Sequence, residues 1–203
     1  FSEWKREFDG YVKSGNLPQF EMVRFCRDHT AGTAANQLSP RAMVADNDYA
    51  VGQIVAAVSH SRFWKDTAIC IVEDDAQNGI DHVDCHRSIA FVISPFVPRG
   101  THDSRFYNTD GMLRSVELLL GMPPMNGFDA VADPLYVFGK QANNSDPYDA
   151  IKPSQEISGA INKRSAYRSG DSARIGRFSE ESEVDEQLND ILWRSIKGTT
   201  QRR

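Results

Sequence analysis

The sequence predicts an α/β fold, a three-layer α/β/α sandwich around a mostly parallel sheet. Three observations predict it. Residues 68–72 (AICIV) and 89–94 (IAFVIS) are short, continuous apolar runs rich in β-branched residues, the pattern of strands covered on both faces. Stretches with helically spaced apolar residues alternate with them. The first run ends abruptly in Glu73, Asp74 and Asp75, and open parallel sheets place their ligands at the carboxyl ends of strands.

Taken in order, Trp4, Phe8, Tyr11 and Val12 predict a helix over 2–13, stopped by Ser14-Gly15-Asn16. Residues 19–26 alternate apolar and charged side chains and predict a strand that runs into Arg27-Asp28-His29-Thr30. Ser39-Pro40-Arg41 opens the next helix, with proline in its first turn. Met43, Val44, Val51, Ile54, Val55 and Val58 supply its apolar face, and Asp46 is a candidate to face a site. Trp64 is expected in the core. Arg99 follows the strand at 89–94 and is expected in a solvated turn or against phosphate. A helix over 110–120 closes at Gly121, with Met125 and Phe128 expected in the core. Hydrophobic periodicity fades from residue 143 to about residue 180. The last helix, 180–197, carries acids early and basic residues late, in keeping with its dipole.

A chain of 203 residues can bury one good core. Residues 1–142 are read as the α/β body, and 143–203 as a surface excursion and terminal helix packed on the same domain. A net charge of −5 argues against nucleic acid as a partner. No apolar run approaches a transmembrane span. Cys26, Cys70 and Cys85 show no metal-pair spacing and imply no disulfide framework.

The densest chemistry lies in 73–86. Carboxylates crowded at a strand end repel one another and lose hydration, and a divalent cation relieves both costs. His82 and His86 follow Asp74 by eight and twelve residues, with Asp81 and Asp84 between and beside them. Oxygen and imidazole donors suit zinc; an oxygen-richer set suits manganese, magnesium or calcium. An EF-hand is excluded, because Ala76 and Cys85 fall where that loop needs oxygen ligands. The alternative is a solvated loop whose acids cap a helix and whose imidazoles bond to backbone. Asp28 and His29 form a second group of potential ligands.

The segment VEDDAQNGIDHVDCHRS (72–88) resembles the signature of the bacterial phosphoesterase family, acid phosphatases and phospholipases C, within the alkaline phosphatase superfamily. The resemblance extends through RDHTAGT (27–33), AMVADNDYAVGQIV (42–55), SHSRFWKDTAI (59–69), SIAFVISPFVPRG (88–100) and MLRSVELLLGMPPM (112–125), and more loosely to LNDILWRSIKG (188–198). It implies phosphate-ester hydrolysis through a Thr or Ser phosphoenzyme, with divalent metal ions, zinc foremost, as cofactors. By resemblance Asp74 and Asp75 bind the metal beside the nucleophile, and Asp28 and His29 contribute to a second metal or to the phosphate pocket. His82 or His86 is the remaining ligand or the acid for the leaving group, and Asp81 and Asp84 orient the imidazoles. Position 32, where the superfamily's spacing would put a His, is Gly32.

The family's nucleophile and first metal-binding acid have no match here. The chain is therefore expected to be the C-terminal half of the domain, incomplete at the sheet edge that the N-terminal half or a second copy would cover. A typical member would be periplasmic or secreted. The competing expectation is a catalytically silent metal-binding or structural module that packs on a partner domain.

Overall fold

The computed structural model describes residues 1–73, 87–175 and 185–198, without the side chains of 185 and 186. Helix α1, Ser2–Ser14, ends at Gly15, whose φ of 76° lets its N–H reach the Tyr11 carbonyl. Helix α2, Pro40–Ser59, starts from Ser39, whose hydroxyl accepts the Ala42 N–H, with proline at the first helical position. A single 3-10 turn, Trp64–Asp66, leads into strand β1, Ile69–Val72, and strand β2 follows at Ala90–Ile93. Helix α3, Thr109–Leu120, is capped by Asn108 and closed by Gly121 at φ 69°. The remaining helices are α4, Gly127–Val131; α5, Gln155–Ser158; α6, Ser169–Ile175; and α7, Asp185–Lys197.

Among the described residues β1 pairs with β2 alone, and the pairing is antiparallel, Ile69 opposite Ile93 and Val72 opposite Ala90. Neither strand is buried on both faces: β1 is half-buried with Val72 exposed, and Ala90 and Phe91 of β2 face out. Among the described residues no further strand pairs with the ribbon's outer edges, so an apolar run alone does not bring burial. Residues 19–26 form no strand, and Phe20, Met22 and Val23 are exposed. Their alternation has no partner strand to pair with among the described residues.

The core joins α1, α2 and the ribbon. Phe8, Val58 and Trp64 are its buried centre, with Trp4, Ile54, Phe63, Ile69, Ile93 and Tyr148 packed around them. Trp4 stacks on Phe8 at 4.9 Å between centroids, and Tyr148 meets Trp64 edge-on at 6.2 Å. Tyr148 therefore draws the segment after residue 142 into the core. Its backbone N–H donates to Ser59 Oγ at 2.9 Å.

Helix α7 packs on α2 and α6, burying Leu188 and Ile191. Met125 and Phe128, expected inside, are 61% and 78% exposed. The buried side of this region is polar instead: Glu117 and Asp129 are inside, and Arg114 pairs with Glu117 at 3.1 Å. Among the described residues no helix is long and apolar enough to cross a membrane.

Candidate functional site

Asp28 and His29 lie in a loop held on both sides. Upstream, the Arg27 N–H donates to Asn47 Oδ1 at 3.3 Å, and its guanidinium meets Asp46 Oδ2 at 3.2 Å. Both partners are in the first half of α2. The ion pair is solvent-exposed and so contributes about 0–1 kcal/mol at most; its effect is to fix where the chain enters the loop. Asp46 thus touches the residue preceding Asp28. The half-buried Asp28 carboxylate accepts the His29 N–H at 3.0 Å, a tight local turn that leaves the imidazole exposed.

Downstream, Thr30 is buried, and its hydroxyl accepts the Gly32 N–H at 3.2 Å. Thr33 donates its N–H to Ser172 Oγ at 3.0 Å and its hydroxyl to the Tyr167 carbonyl at 2.6 Å. The side-chain amide of Asn162 donates to the carbonyls of Gly32, Ala34 and Leu38. Leu38 bridges antiparallel to Ile161, and Ser39 N–H reaches the Ala160 carbonyl at 2.8 Å. Asn162, Tyr167 and Ser172 come from the stretch expected to be a surface excursion. No local pattern marks them, because their partners are more than a hundred positions away in sequence.

Gly32 is required where it stands. Its φ is 55°, and a Cβ built on it would lie 2.8 Å from Ser172 Oγ and 3.4 Å from Leu188 Cδ1. Gly32→Ala is expected to cost about 1–3 kcal/mol, from left-handed strain plus the displaced serine. Urea titration of the two proteins checks this; equal midpoints would mean the loop accommodates a methyl group freely.

The two ends of the connection that carries the other candidate ligands are also held together. The Glu73 N–H donates to the Ile89 carbonyl at 3.3 Å, and Ser88 Oγ donates to the Glu73 carbonyl at 3.1 Å. The chain between them connects an antiparallel pair, not successive strands of a parallel sheet. Asp74, Asp75, Asp81, His82, Asp84, Cys85 and His86 lie outside the described residues. Among the described residues no three His, Cys, Asp or Glu side chains gather to hold a metal ion. Asp28 and His29 are suitable donors in kind, but two donors are fewer than the three or four protein ligands of a zinc site.

Arg99 stands in a turn after β2, half-buried, with its guanidinium over the Tyr148 ring, 3.9 Å from the centroid, and donating to the Asp146 carbonyl. Cys70 is a half-buried strand residue, and burial pushes its thiol up from the ordinary value. Cys26 is exposed. Compared with family models, with curated proteins and with solved structures, the chain gives no match.

Proposed function

We propose that this chain supplies the acidic and imidazole ligands of a metal-dependent phosphoesterase, an enzyme that hydrolyses phosphate esters. The observation that carries the reading is the concentration of four Asp and two His within 74–86, on a connection whose two ends are hydrogen-bonded together. The pinned Asp28–His29 turn is the second support.

In this proposal Asp74 and Asp75 hold the ion next to the attacking group. Asp28 and His29 hold a second ion or line the phosphate pocket. His82 or His86 completes a ligand set or gives a proton to the leaving-group oxygen, and Asp81 and Asp84 fix the imidazole tautomers. A bound divalent ion, zinc foremost and manganese, calcium or magnesium otherwise, supplies charge neutralisation on the phosphoryl oxygens and a lowered pKa for a bound hydroxyl or water. The attacking Thr or Ser has no match in residues 1–203, and the proposal places it on a segment N-terminal to them. Thr30 is unsuited to that role, being buried with its hydroxyl turned to Gly32.

Metal content is the test. Elemental analysis of protein purified without chelator is expected to find about one to two equivalents of zinc or a related ion per chain, lost in Asp74→Asn/Asp75→Asn. An unchanged metal content in the double variant would overturn the ligand assignment. So would absence of metal after reconstitution of protein that includes the upstream segment. Metal bound at these residues with no hydrolysis of an aryl phosphate by that longer protein would favour the silent metal-binding module.

A further inference from the structure

The end of α3, the loop after it and α4 turn their apolar side chains outward and their acids inward. Leu118, Leu119, Met122, Met125, Phe128 and Val131 are 44–85% exposed. They fall within residues 118–131, and α3 packs on α4. Phe128 and Val131, three apart, share one side of α4. Between Arg114 and Asp133 the only ionisable side chains are Glu117 and Asp129, and both are buried.

The loop leaves no backbone donor over. The Gly121 N–H donates to the Leu118 carbonyl at 3.2 Å, and the Met122 N–H to the Glu117 carbonyl at 2.8 Å. Pro123 and Pro124 have no N–H. The Met125 N–H goes to Glu117 and Asp129, and the Asn126 N–H to Asp129. Loops usually rely on water for such groups. Residues 121–126 can lose their water without stranding an N–H, so covering them carries little of the usual penalty.

Size and charge say what covers this face. Six such side chains leave about 800 Å² of apolar surface in water, above the roughly 300–600 Å² patch of a typical monomer and close to what one partner brings to a standard interface. Nucleic acid or an anionic membrane would find nothing to grip, since residues 115–132 contain no Lys, Arg or His. A second copy needs no such grip. A twofold contact sets a face against itself, so an exposed charge there would meet its like. Two copies of net charge −5 repel elsewhere, and this face adds nothing to that repulsion.

We infer that two copies of this chain pair through the α3–α4 face, with Phe128 as its aromatic anchor. None of the residues involved is a proposed metal ligand.

Sedimentation equilibrium of residues 1–203 tests this. The wild type is expected to dimerise with a dissociation constant in the micromolar range or tighter. Phe128→Glu should weaken the dimer at least about 30-fold while keeping the wild-type circular dichroism, because the side chain is exposed. Met125→Glu should act the same way and serves if Phe128→Glu does not fold. Phe91→Glu, on the exposed side of the ribbon, should leave the dimer intact. High salt should leave association as tight or tighter, because it screens only the repulsion between copies. A wild type still monomeric at about 100 µM would overturn the inference, as would a dimer that both Phe128→Glu and Met125→Glu leave intact. A monomer that floats with phosphatidylcholine vesicles only while Phe128 is present would assign the face to a lipid surface and overturn it too. In protein that includes the upstream segment the dimer should persist; a monomer there would mean that this segment covers the face, and the inference would fall.

Discussion

Trp64→Ala is expected to lower the unfolding free energy by about 3–5 kcal/mol, the cost of emptying a large aromatic site that cannot collapse. Trp64 is 4% exposed and sits where three parts of the chain meet. Phe8 arrives from α1, Val58 from the end of α2, and Ile69 and Ile93 from the ribbon. The indole also donates its Nε1–H to the Ser145 carbonyl at 3.1 Å, and its ring borders Tyr148. Truncation therefore opens a cavity, removes a hydrogen bond and loosens the return of the chain after residue 142. Trp64→Phe, which keeps much of the ring but not the donor, should cost distinctly less. Urea and thermal unfolding measure both; a loss below about 1 kcal/mol for the alanine variant would mean that the three parts hold together without the indole.

A second large effect is expected at Asp129, fully buried beneath the exposed Met125 and Phe128. Asp129 Oδ1 accepts the Asn126 N–H at 2.9 Å, completing a capping box, and Oδ2 accepts the Met125 N–H at 2.9 Å. Glu117 Oε1 shares that Met125 N–H at 3.2 Å, and Arg114 holds the other Glu117 oxygen. Burial by itself would raise the Asp129 carboxyl. The N–H groups of Asn126, Met125 and Ala130, together with the Glu117 side chain, outweigh it and keep the carboxyl below its ordinary range.

The sign of the pH dependence follows. A carboxyl depressed in the folded state binds its proton more readily when unfolded, so its contribution is complete above the unfolded value, about pH 4, and is lost as pH falls through the folded one. Asp129→Asn turns amide hydrogens toward backbone N–H groups that need an acceptor. We expect it to lower Tm by roughly 5 °C or more at neutral pH and to flatten part of the acid limb below about pH 4. Glu3, Asp103, Asp171 and Asp190 are also held low by arginine or tyrosine partners, but Glu3 and Asp103 are exposed and Asp171 and Asp190 only half-buried, so salt screens them more than Asp129. At high salt the difference between wild type and Asp129→Asn should persist. Superimposable acid limbs there would show that the carboxyl is not specially held.

What was legible in the sequence follows the range of the interactions. Helix ends are written locally: Gly15, Ser39-Pro40 and Gly121 mark their positions because one residue's backbone preference decides each. Strand pairing is not local. The run at 68–72 identifies a strand but carries no information on which way its neighbour points, and the neighbour is antiparallel. Residues 19–26 have the alternation of a strand without a partner among the described residues. Met125 and Phe128 mislead in another way. Their apolar character suggests burial, but the capping box around Asn126 and Asp129 turns the polar side inward, and the apolar side chains go outward with it. In the candidate site, Asp28 and His29 could be singled out by residue type. The amide and hydroxyl that shape their loop could not, since nothing in an Asn or Ser more than a hundred positions away announces its contact.

That separation has a consequence for the order in which the molecule acquires its parts during synthesis. Contacts from Gly32 to Asn162 and from Thr33 to Ser172 cannot form until those later residues have left the ribosome, whereas the turns of α1 and α2 need only their own sequence. At about 5–20 residues per second, the Asp28–His29 loop waits several seconds or more after its own emergence for its template. During that interval the nascent chain carries a helical N-terminal part whose candidate ligand loop has yet to set.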